Sequence, residues 1–439
     1  MSSSGALSRY TNGQANRVHI SDQAVHGWYR FVLSFPPHLV RDYLAKLEIS
    51  SGQRVLDPFC GTGTTLVECK KLGLPSVGVE ANSLAHFASR VKTDWSIDPR
   101  GLSEHAAGVA EEATALLESQ GLGDFFQAHR GTPLESVQLL ALPAESYRLL
   151  LTGSVSPVPL HKTLTLLHAM RAHREERYED YELLALANAL PTTIGNLHFG
   201  PEVGVGAAKA DAPVVEAWQS LVRQMASDLL LVRAQCQTPC DVHFADARRV
   251  EDLLPPQSID AVITSPPYPN EKDYTRTTRL ESVVLGFLTN RADLQALKRG
   301  LLRSNTRNVY KNDDDDRWVA DHPEIERIAR EIEERRIALG KTSGFERQYA
   351  RVTKLYFGGM KRHFAELRGR LRPGARLAYV VGDQASYLRV MIRTGQLLAE
   401  IAESLGYEVV GIDLFRTRLA TATREQLREE VLVLRWPGN

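Results

Sequence analysis

Two short apolar runs of β-strand character are each followed by a loop of unusual composition. The first run, residues 54–60, leads into the loop Asp57–Thr65, which reads Asp-Pro-Phe-Cys-Gly-Thr-Gly-Thr-Thr. The second run, Ile259–Thr264, leads into Ser265–Tyr268, which reads Ser-Pro-Pro-Tyr. Short apolar runs bounded by glycine and proline are typical of buried strands. We therefore expect the two loops to meet at the carboxyl edge of one sheet.

Helical periodicity alternates with strands after the first loop. The pattern predicts a helix from about Thr64 to Gly73 and then a strand over Ser76–Glu80. Asn82 is placed to cap a further helix that reaches about Lys92. This β-α-β-α order predicts an α/β fold with a parallel sheet and right-handed crossovers.

Two insertions interrupt the alternation. Residues 95–240 are dominated by Ala and Leu and predict a mostly helical insertion, within which the Gly- and Pro-rich residues 191–213 are expected to form an ordered loop. Residues 269–345 predict an insertion of mixed character. The sequence therefore predicts a flexible tail (1–16), a core in three parts (17–94, 241–268 and 346–439) and the two insertions. The core ends in two strands that are predicted to form an antiparallel pair.

The charge balance gives no overall support for a nucleic-acid partner, because 53 basic residues match 53 acidic ones. Local basic clusters at 298–311 and 361–376 are candidates for phosphate contacts, although such runs are usually solvated faces. The acidic run Asp313–Asp316 is expected to be a mobile, exposed loop.

Cysteine usage and hydropathy restrict the protein's class. The spacing of the four cysteines, Cys60, Cys69, Cys236 and Cys240, fits neither a disulfide framework nor a four-ligand zinc site. We therefore expect no metal and a reducing, cytoplasmic compartment. No apolar run reaches the length of about 18 residues that a membrane span needs, so no membrane association is expected.

The first loop has the composition of a cofactor site. Gly61 and Gly63 permit a tight turn and a close approach of a ligand to the backbone. The lysine of a phosphate-binding P-loop and the G-x-G-x-x-G pattern are both absent, which disfavours a pyrophosphate cofactor. Glu80, at the end of the next strand, is placed to accept hydrogen bonds from both hydroxyls of a ribose. Asp246, at the end of the third strand, is a candidate acceptor for an exocyclic amine, although such strand-end carboxylates are often only solvated.

The second loop offers mainly hydrogen-bond acceptors. Its two prolines cannot donate, so carbonyls, the Ser265 hydroxyl and the Tyr268 ring remain. This set suits a planar heterocycle that carries an NH₂ group. If the Ser265 hydroxyl and the Pro266 carbonyl accepted the amine hydrogens, the nitrogen lone pair would be localised for attack, and Tyr268 would stack on the ring. A proline-rich turn after a buried strand is the plain structural alternative.

The loop Asp57–Thr65 resembles motif I of the S-adenosylmethionine-dependent amino-methyltransferases, which carry Asp-Pro-Phe-x-Gly-x-Gly-Thr-Thr. Ser34-Phe35-Pro36 resembles the element just upstream, which touches the methionine end of the cofactor. Ser-Pro-Pro-Tyr is similar to the variant common among cytosine-N4 DNA enzymes, whereas adenine-N6 enzymes more often carry Asp-Pro-Pro-Tyr. The resemblance implies a Rossmann-like class I core with a mixed seven-stranded sheet whose last strand is antiparallel.

The resemblance also implies an activity and its partners. The expected reaction is methyl transfer from S-adenosylmethionine to the N4 amine of a cytosine flipped out of double-stranded DNA, with residues 269–345 as the candidate DNA-recognition region. Such enzymes commonly work in restriction–modification systems, so a cognate restriction endonuclease is expected as a functional partner without physical contact.

The implied site residues fall into three groups. Cofactor binding is expected of Ser34, Phe35, Pro36, Asp57, Pro58, Phe59, Gly61, Thr62, Gly63, Thr64, Thr65, Glu80, Ala81, Asn82, Asp246 and Ala247. Catalysis is expected of Ser265, Pro266, Pro267 and Tyr268. Asn270, Asp273 and Tyr274 are candidates for the base pocket and Arg276 for a phosphate contact, with a capping aspartate and a surface arginine as the alternatives.

Three other functions stay open at this point. An adenine-N6 DNA methyltransferase is the nearest alternative. Guanine-N2 transfer-RNA methyltransferases carry a similar first loop together with Asp-Pro-Pro-Tyr, but Ser265 and the absence of a clear amino-terminal RNA-binding domain count against them. A non-catalytic cofactor-binding regulator has no use for the acceptor-only loop.

Overall fold

The computed structural model describes residues 18–31, 34–123, 137–200, 202–270, 272–419 and 426–438. The predicted tail, residues 1–16, lies outside this part of the chain. The strands are β1 (Val55–Asp57), β2 (Ser76–Glu80), β3 (Leu197–Phe199), β4 (Val203–Val205), β5 (Cys240–Phe244), β6 (Ile259–Thr264), β7 (Leu371–Gly382), β8 (Glu408–Leu419) and β9 (Gln426–Arg435).

Fifteen α-helices are present in the described residues. In the first half these are α1 (Gln23–His26), α2 (Pro37–Lys46), α3 (Thr64–Lys71), α4 (Ser83–Thr93), α5 (Pro99–Ser119), α6 (Ala144–Tyr147), α7 (Pro157–Ala172), α8 (Glu176–Ala189) and α9 (Val214–Val232). The second half adds α10 (Tyr274–Thr277), α11 (Arg279–Val284), α12 (Arg291–Gly300), α13 (Pro323–Ala338), α14 (Tyr349–Leu367) and α15 (Thr394–Ser404).

A mixed seven-stranded sheet with the order β5-β2-β1-β6-β7-β9-β8 forms the centre of the molecule. The pairings β5·β2, β2·β1, β1·β6 and β6·β7 are parallel, and β9 is antiparallel to both of its neighbours. This confirms the predicted α/β class I methyltransferase fold with an antiparallel last strand. The order reverses between β1 and β6, and ligands in open α/β sheets bind at the carboxyl ends of strands at such a point.

The alternation of side chains along the strands divides the core into two layers. Leu56 and Val262 point to the face that carries α13, α14 and α15, while Val55 and Ile263 point to the face that carries α2 and α3. This follows from the two-residue period of a strand, which sends successive side chains to opposite faces. Both faces are covered at the central strands β1 and β6, which are buried apart from Asp260, whereas the edge strand β5 is partly exposed.

The helical insertion forms a core of its own. Helices α5, α7, α8 and α9 bury residues such as Leu184, Trp218 and Met225 together with α4 and the amino-terminal segment. The region predicted as an ordered loop contains a two-stranded sheet, β3–β4, which sequence periodicity could not indicate because each strand has only three residues. The strands of the main sheet fall in the three predicted core segments, except that β5 begins at Cys240.

The acidic run Asp313–Asp316 differs from its prediction. Asp315 is 5% exposed and forms ion pairs with Arg248 and, at 3.6 Å, with Arg362. Asp313 accepts two hydrogen bonds of 2.8 Å from Arg303. The prediction of a mobile, exposed loop was wrong because arginines from other parts of the chain neutralise the run.

The two basic clusters also serve internal contacts. Arg372 pairs with Asp260 and Arg376 with Glu48 at the amino ends of β6 and β7, the edge opposite to the two loops. These two arginines therefore do not form a phosphate-binding surface beside the two loops. In the cluster 298–311, Lys298 pairs with Asp273 at 3.0 Å. Among the described residues, no helix is long and apolar enough to cross a membrane.

The carboxylate of Asp228 on α9 fastens the amino-terminal segment to the helical insertion. Its Oδ2 accepts hydrogen bonds from the backbone N–H of Val25 (2.9 Å) and from the indole of Trp28 (2.8 Å).

We expect Asp228→Ala to lower the free energy of unfolding by about 1–3 kcal/mol, because two buried donors lose their acceptor. The measurement is a urea unfolding curve. Asp252→Ala, which removes an exposed ion pair with Arg249, is the control and should change stability by less than about 0.5 kcal/mol; equal effects of the two substitutions would contradict this account.

Candidate active site

A single cavity of about 290 Å³ contains both loops. It opens at the carboxyl edge of the sheet, where β1 and β6 pair in parallel with Leu56 opposite Val262. The predicted residues that line it are Ser34, Phe35, Pro58, Phe59, Gly61, Thr62, Thr64, Glu80, Ala81, Asn82, Asp246, Ala247, Ser265, Pro266, Pro267, Tyr268, Asn270 and Tyr274. Pro36, Asp57, Gly63, Thr65, Asp273 and Arg276 do not line it.

The glycines of the first loop have backbone conformations that suit only glycine. Gly61 and Gly63 have φ values of +53° and +81°, in the left-handed region. A Cβ on Gly63 would lie 2.7 Å from the Ser89 hydroxyl of α4, so this glycine lets the loop pack against that helix. A Cβ on Gly61 would meet only the Phe31 ring, at 3.8 Å, because this residue faces the cavity.

Asp57 lies beneath the cavity and joins the two strands. It is fully buried, and its Oδ1 accepts hydrogen bonds from the Thr264 hydroxyl (2.6 Å) and the Phe59 N–H (3.2 Å). Burial raises the pKa of Asp57 to about 6, although the hydrogen bonds from Thr264, Thr65 and Phe59 oppose this shift. Asp57 therefore supports the loop from below, in direct contact with the last residue of β6.

Glu80 is held by the backbone on both sides. Its Oε2 accepts a hydrogen bond from the Gly61 N–H (2.8 Å), and its Oε1 accepts one from the Asn82 N–H (2.7 Å). Burial, with a smaller contribution from the Asp57 charge, raises the pKa of Glu80 to about 7. The carboxylate is thus fixed in the cavity wall, and each oxygen keeps acceptor capacity for a ligand.

Asp246 is engaged more fully than the sequence indicated. The backbone N–H and the guanidinium of Arg248 donate to both of its oxygens at 2.6–3.0 Å. Arg248 also pairs with Asp315 of the second insertion. Since three N–H groups occupy a carboxylate that accepts about four hydrogen bonds, about one acceptor position remains for a ligand.

The second loop is oriented by β7. The Ser265 hydroxyl donates a hydrogen bond to the Val380 carbonyl (3.1 Å), so the Ser265 oxygen can only accept from a further partner. The Tyr268 ring lies against Gly382, where an added Cβ would stand 2.9 Å from Tyr268 Cε2. Gly382 therefore leaves room for the ring beside the end of β7.

The four residues proposed to contact the substrate, three in the base pocket and Arg276 at a phosphate, separate into two groups. Tyr274 and Asn270 line the cavity, and the Asn270 side chain also accepts from the Lys272 N–H (3.0 Å). Asp273 caps α10 by accepting from the Thr275 N–H (3.0 Å) and pairs with Lys298. Both Asp273 and Arg276 lie outside the cavity wall. Asp273 has the capping role that was its alternative, whereas Arg276 is half-buried rather than a surface arginine.

Several lining residues were not found from the sequence. Lys272, Arg416, Arg418 and Glu429 stand at the cavity wall, and Arg416 donates to Glu429 across the β8–β9 pair. The alternating arginines of β8 were visible in the sequence, but only the sheet order shows that they reach the loops. Within the described residues, no group of three or more His, Cys, Asp or Glu side chains is arranged to hold a metal ion.

Comparison with known proteins adds a family and several relatives. A model of the N6/N4 methyltransferase family, described as DNA methylase, matches residues 9–87. Type II methyltransferase M.BsoBI of Geobacillus stearothermophilus is 25% identical over 94% of this chain and 83% of that protein. Type II methyltransferase M.AvaI of Anabaena variabilis is 24% identical over 93% of this chain and 86% of that protein. Type II methyltransferase M.MjaII of Methanocaldococcus jannaschii is 37% identical over 16% of this chain.

Two solved structures show a much weaker likeness. TrmN from Thermus thermophilus has a TM-score of 0.28 at 12% identity, and covers 91% of this chain and 48% of that one. The rRNA methyltransferase aviRa from Streptomyces viridochromogenes has a TM-score of 0.32 at 11% identity, with 99% and 96% coverage. The sheet order, rather than these superpositions, defines the fold.

The family match spans the strand and loop that build the cofactor side of the cavity, and the alignments with the two Type II methyltransferases cover 93–94% of this chain. These matches support a DNA amino-methyltransferase of the N4/N6 family.

Proposed function

We propose that this enzyme transfers a methyl group from S-adenosylmethionine to the exocyclic N4 amine of a cytosine flipped out of double-stranded DNA. One observation carries the proposal: the amine-accepting loop Ser265–Tyr268 and the ribose-accepting carboxylate of Glu80 line the same cavity. A nucleoside cofactor and a planar amine substrate can thus be held side by side.

The residues on the cofactor side fit S-adenosylmethionine. The absent side chain of Gly61 leaves room for a ligand against the loop backbone, and the two Glu80 oxygens retain lone pairs for the ribose hydroxyls. The remaining acceptor position of Asp246 suits the adenine amine. When bound, this cofactor supplies an electrophilic methyl group on a sulfonium.

Ser265 is the proposed activator of the substrate amine. Its hydroxyl hydrogen is committed to the Val380 carbonyl, which directs the oxygen lone pairs towards other donors. An amine hydrogen accepted by Ser265, and a second one accepted by the Pro266 carbonyl, would withdraw the nitrogen lone pair from conjugation with the ring. The Tyr268 ring, which lies beside Gly382, is the proposed stacking surface for the base.

The choice of cytosine rests on Ser265, which stands where adenine-N6 enzymes more often carry aspartate. The proposal of DNA as substrate is supported by relatives named as Type II methyltransferases. It is also supported by the cations Lys272, Arg416 and Arg418 at the cavity wall, which suit a phosphate backbone. A restriction endonuclease of the same specificity is the proposed functional partner.

The product nucleoside tests this assignment. The protein is incubated with methyl-labelled S-adenosylmethionine and either unmethylated plasmid DNA or transfer RNA, and the nucleic acid is digested for mass spectrometry. We expect label in N4-methyl-2′-deoxycytidine from DNA. Label in N6-methyladenine would overturn the cytosine assignment, and label only in RNA would overturn the DNA substrate.

Ser265→Ala tests the role of the acceptor loop. We expect kcat to fall by about 100-fold or more, because an acceptor that acts on the reacting amine is lost. The dissociation constant for S-adenosylmethionine, measured by calorimetry, should stay within about twofold. Ser258→Ala is the matched control, since Ser258 precedes β6 at its other end and its hydroxyl donates to the neighbouring Pro255 carbonyl. Unchanged turnover in Ser265→Ala would refute the proposed role.

Glu80 makes cofactor binding dependent on pH. With its pKa raised to about 7, the cofactor-free carboxyl is protonated below that pH, and the ribose hydroxyls require an ionised acceptor. We expect the affinity for S-adenosylmethionine to be constant above about pH 7.5 and to fall by up to tenfold per unit below pH 7. In Glu80→Gln the affinity should be lower and constant over this range, whereas exposed Glu408→Gln should match the wild type. A wild-type profile without this decline would be incompatible with Glu80 as the acceptor.

A further inference from the structure

A second cavity of about 190 Å³ lies beside the first. The two cavities share Phe31 and Tyr274, so they are neighbours across these two rings. None of the acceptor loop Ser265–Tyr268 lines the second cavity. A base held there is therefore not the base whose amine is presented to Ser265.

The walls of the second cavity are aromatic and come from three separate regions. Tyr29 and Phe31 belong to the amino-terminal segment, Phe199 to β3 of the helical insertion, and Tyr274 to the second insertion. The Tyr29 and Phe31 rings meet edge to face, with centroids 6.2 Å apart. Aromatic surfaces of this kind hold unstacked bases of nucleic acids, because every base has a flat π-face.

Glu281 of α11 gives this aromatic cavity an unfilled acceptor. The side chain is 1% exposed, and its Oε1 accepts a hydrogen bond from the Tyr29 hydroxyl (2.7 Å). Its Oε2 is buried and, within the described part of the chain, has no hydrogen-bond partner. Buried carboxylate oxygens normally have a partner, so an N–H group of a ligand would complete this one.

Arg30 adds a cation to the wall of the same cavity. Its side chain is exposed, and one guanidinium N–H donates to the Ser34 carbonyl (3.0 Å). A guanidinium has five N–H donors, so others are available to a phosphate. Each of these groups suits one part of a nucleotide. The aromatic walls suit the face of a base, the buried acceptor suits a base N–H, and the outer arginine suits the phosphate.

We propose that the second cavity binds a second, unstacked nucleotide of the DNA next to the methylated one, with a base N–H on Glu281 Oε2 and the ring between Phe199 and Tyr274. This inference rests on the proposed DNA substrate and deepens it. This second nucleotide is not methylated. Its base is recognised, because only a base with an N–H group that can donate to Glu281 fits the cavity. Part of the recognition sequence is thus selected inside the protein rather than in a DNA groove.

Fluorescence of 2-aminopurine tests the proposal, since this base brightens when it leaves the helical stack. The methylated site is first mapped by sequencing, and duplexes carry 2-aminopurine at each position beside the target. With the full-length protein and saturating cofactor, we expect one neighbouring position to brighten. Phe199→Ala and Glu281→Gln should remove this brightening and weaken duplex binding about tenfold, with the affinity for S-adenosylmethionine unchanged.

Two matched variants control for general damage. Phe244→Ala removes a ring from the outer edge strand β5, and Glu182→Gln changes a buried glutamate that pairs with His105 on the far side of the helical insertion. Neither should change the fluorescence. If no neighbouring position brightens, or if both cavity variants behave like these controls, the proposal is overturned. If Glu281→Gln fails to fold, Phe199→Ala decides the outcome alone.

Failure of the proposed function would be visible separately. If mapping finds no methylated DNA, the proposed function fails, and the cavity is tested by saturation-transfer NMR with free nucleoside monophosphates. Binding to the wild type that is lost in Phe199→Ala would then support a nucleotide site, and absence of binding to the wild type would overturn it.

Discussion

The hydrogen bond from Thr264 to Asp57 joins the two chemical halves of this protein. It connects the last residues of β1 and β6, which are 207 positions apart in the chain, at 2.6 Å in a fully buried position. Each strand ends at this point and releases a loop into the cavity above. Any shift of one strand against the other would separate the acceptor loop from the cofactor loop, so the position of the active site depends on this register.

The two insertions modify the site without disturbing the sheet. The helical insertion packs around its own core and reaches the second cavity, beside the active site, through Phe199 of β3. The second insertion is held in place by ion pairs rather than by strands of the sheet, because Asp315 pairs with Arg248 and Arg362. Because Arg248 also holds Asp246, the cofactor side of the cavity and the second insertion are mechanically linked. Buried charges of this kind persist only when each has a partner.

The polar groups of the cavity are constrained more than their exposed counterparts would be. Glu80 is fixed by two backbone N–H groups, Ser265 by a carbonyl of β7, and Tyr268 by the flat surface at Gly382. Such preorganisation lowers the cost of orienting a substrate at the moment of reaction. Rigid strands thus supply the chemistry, while loops and insertions from the rest of the chain supply the walls that select a ligand.

The amino-acid sequence by itself determined the local features: the strand-loop-helix at Gly61 and Gly63, the acceptor-only loop at Ser265, and the acid at Glu80. Each depends on neighbouring residues and on the periods of helices and strands, which a sequence displays directly.

The wrong predictions concerned partners far apart in the chain. Asp315 was expected to be exposed, and the arginines of 361–376 were candidates for phosphate contacts or a solvated face, because charge runs carry no record of the groups that neutralise them. Only the tertiary structure decided that Arg416 and Arg418 reach the cavity and that Arg248 occupies Asp246. It also decided that Glu281, whose Oε2 has no hydrogen-bond partner among the described residues, lines a cavity with four aromatic rings. These contacts follow from the strand order and from the docking of two insertions, which depend on packing between distant segments rather than on any local pattern.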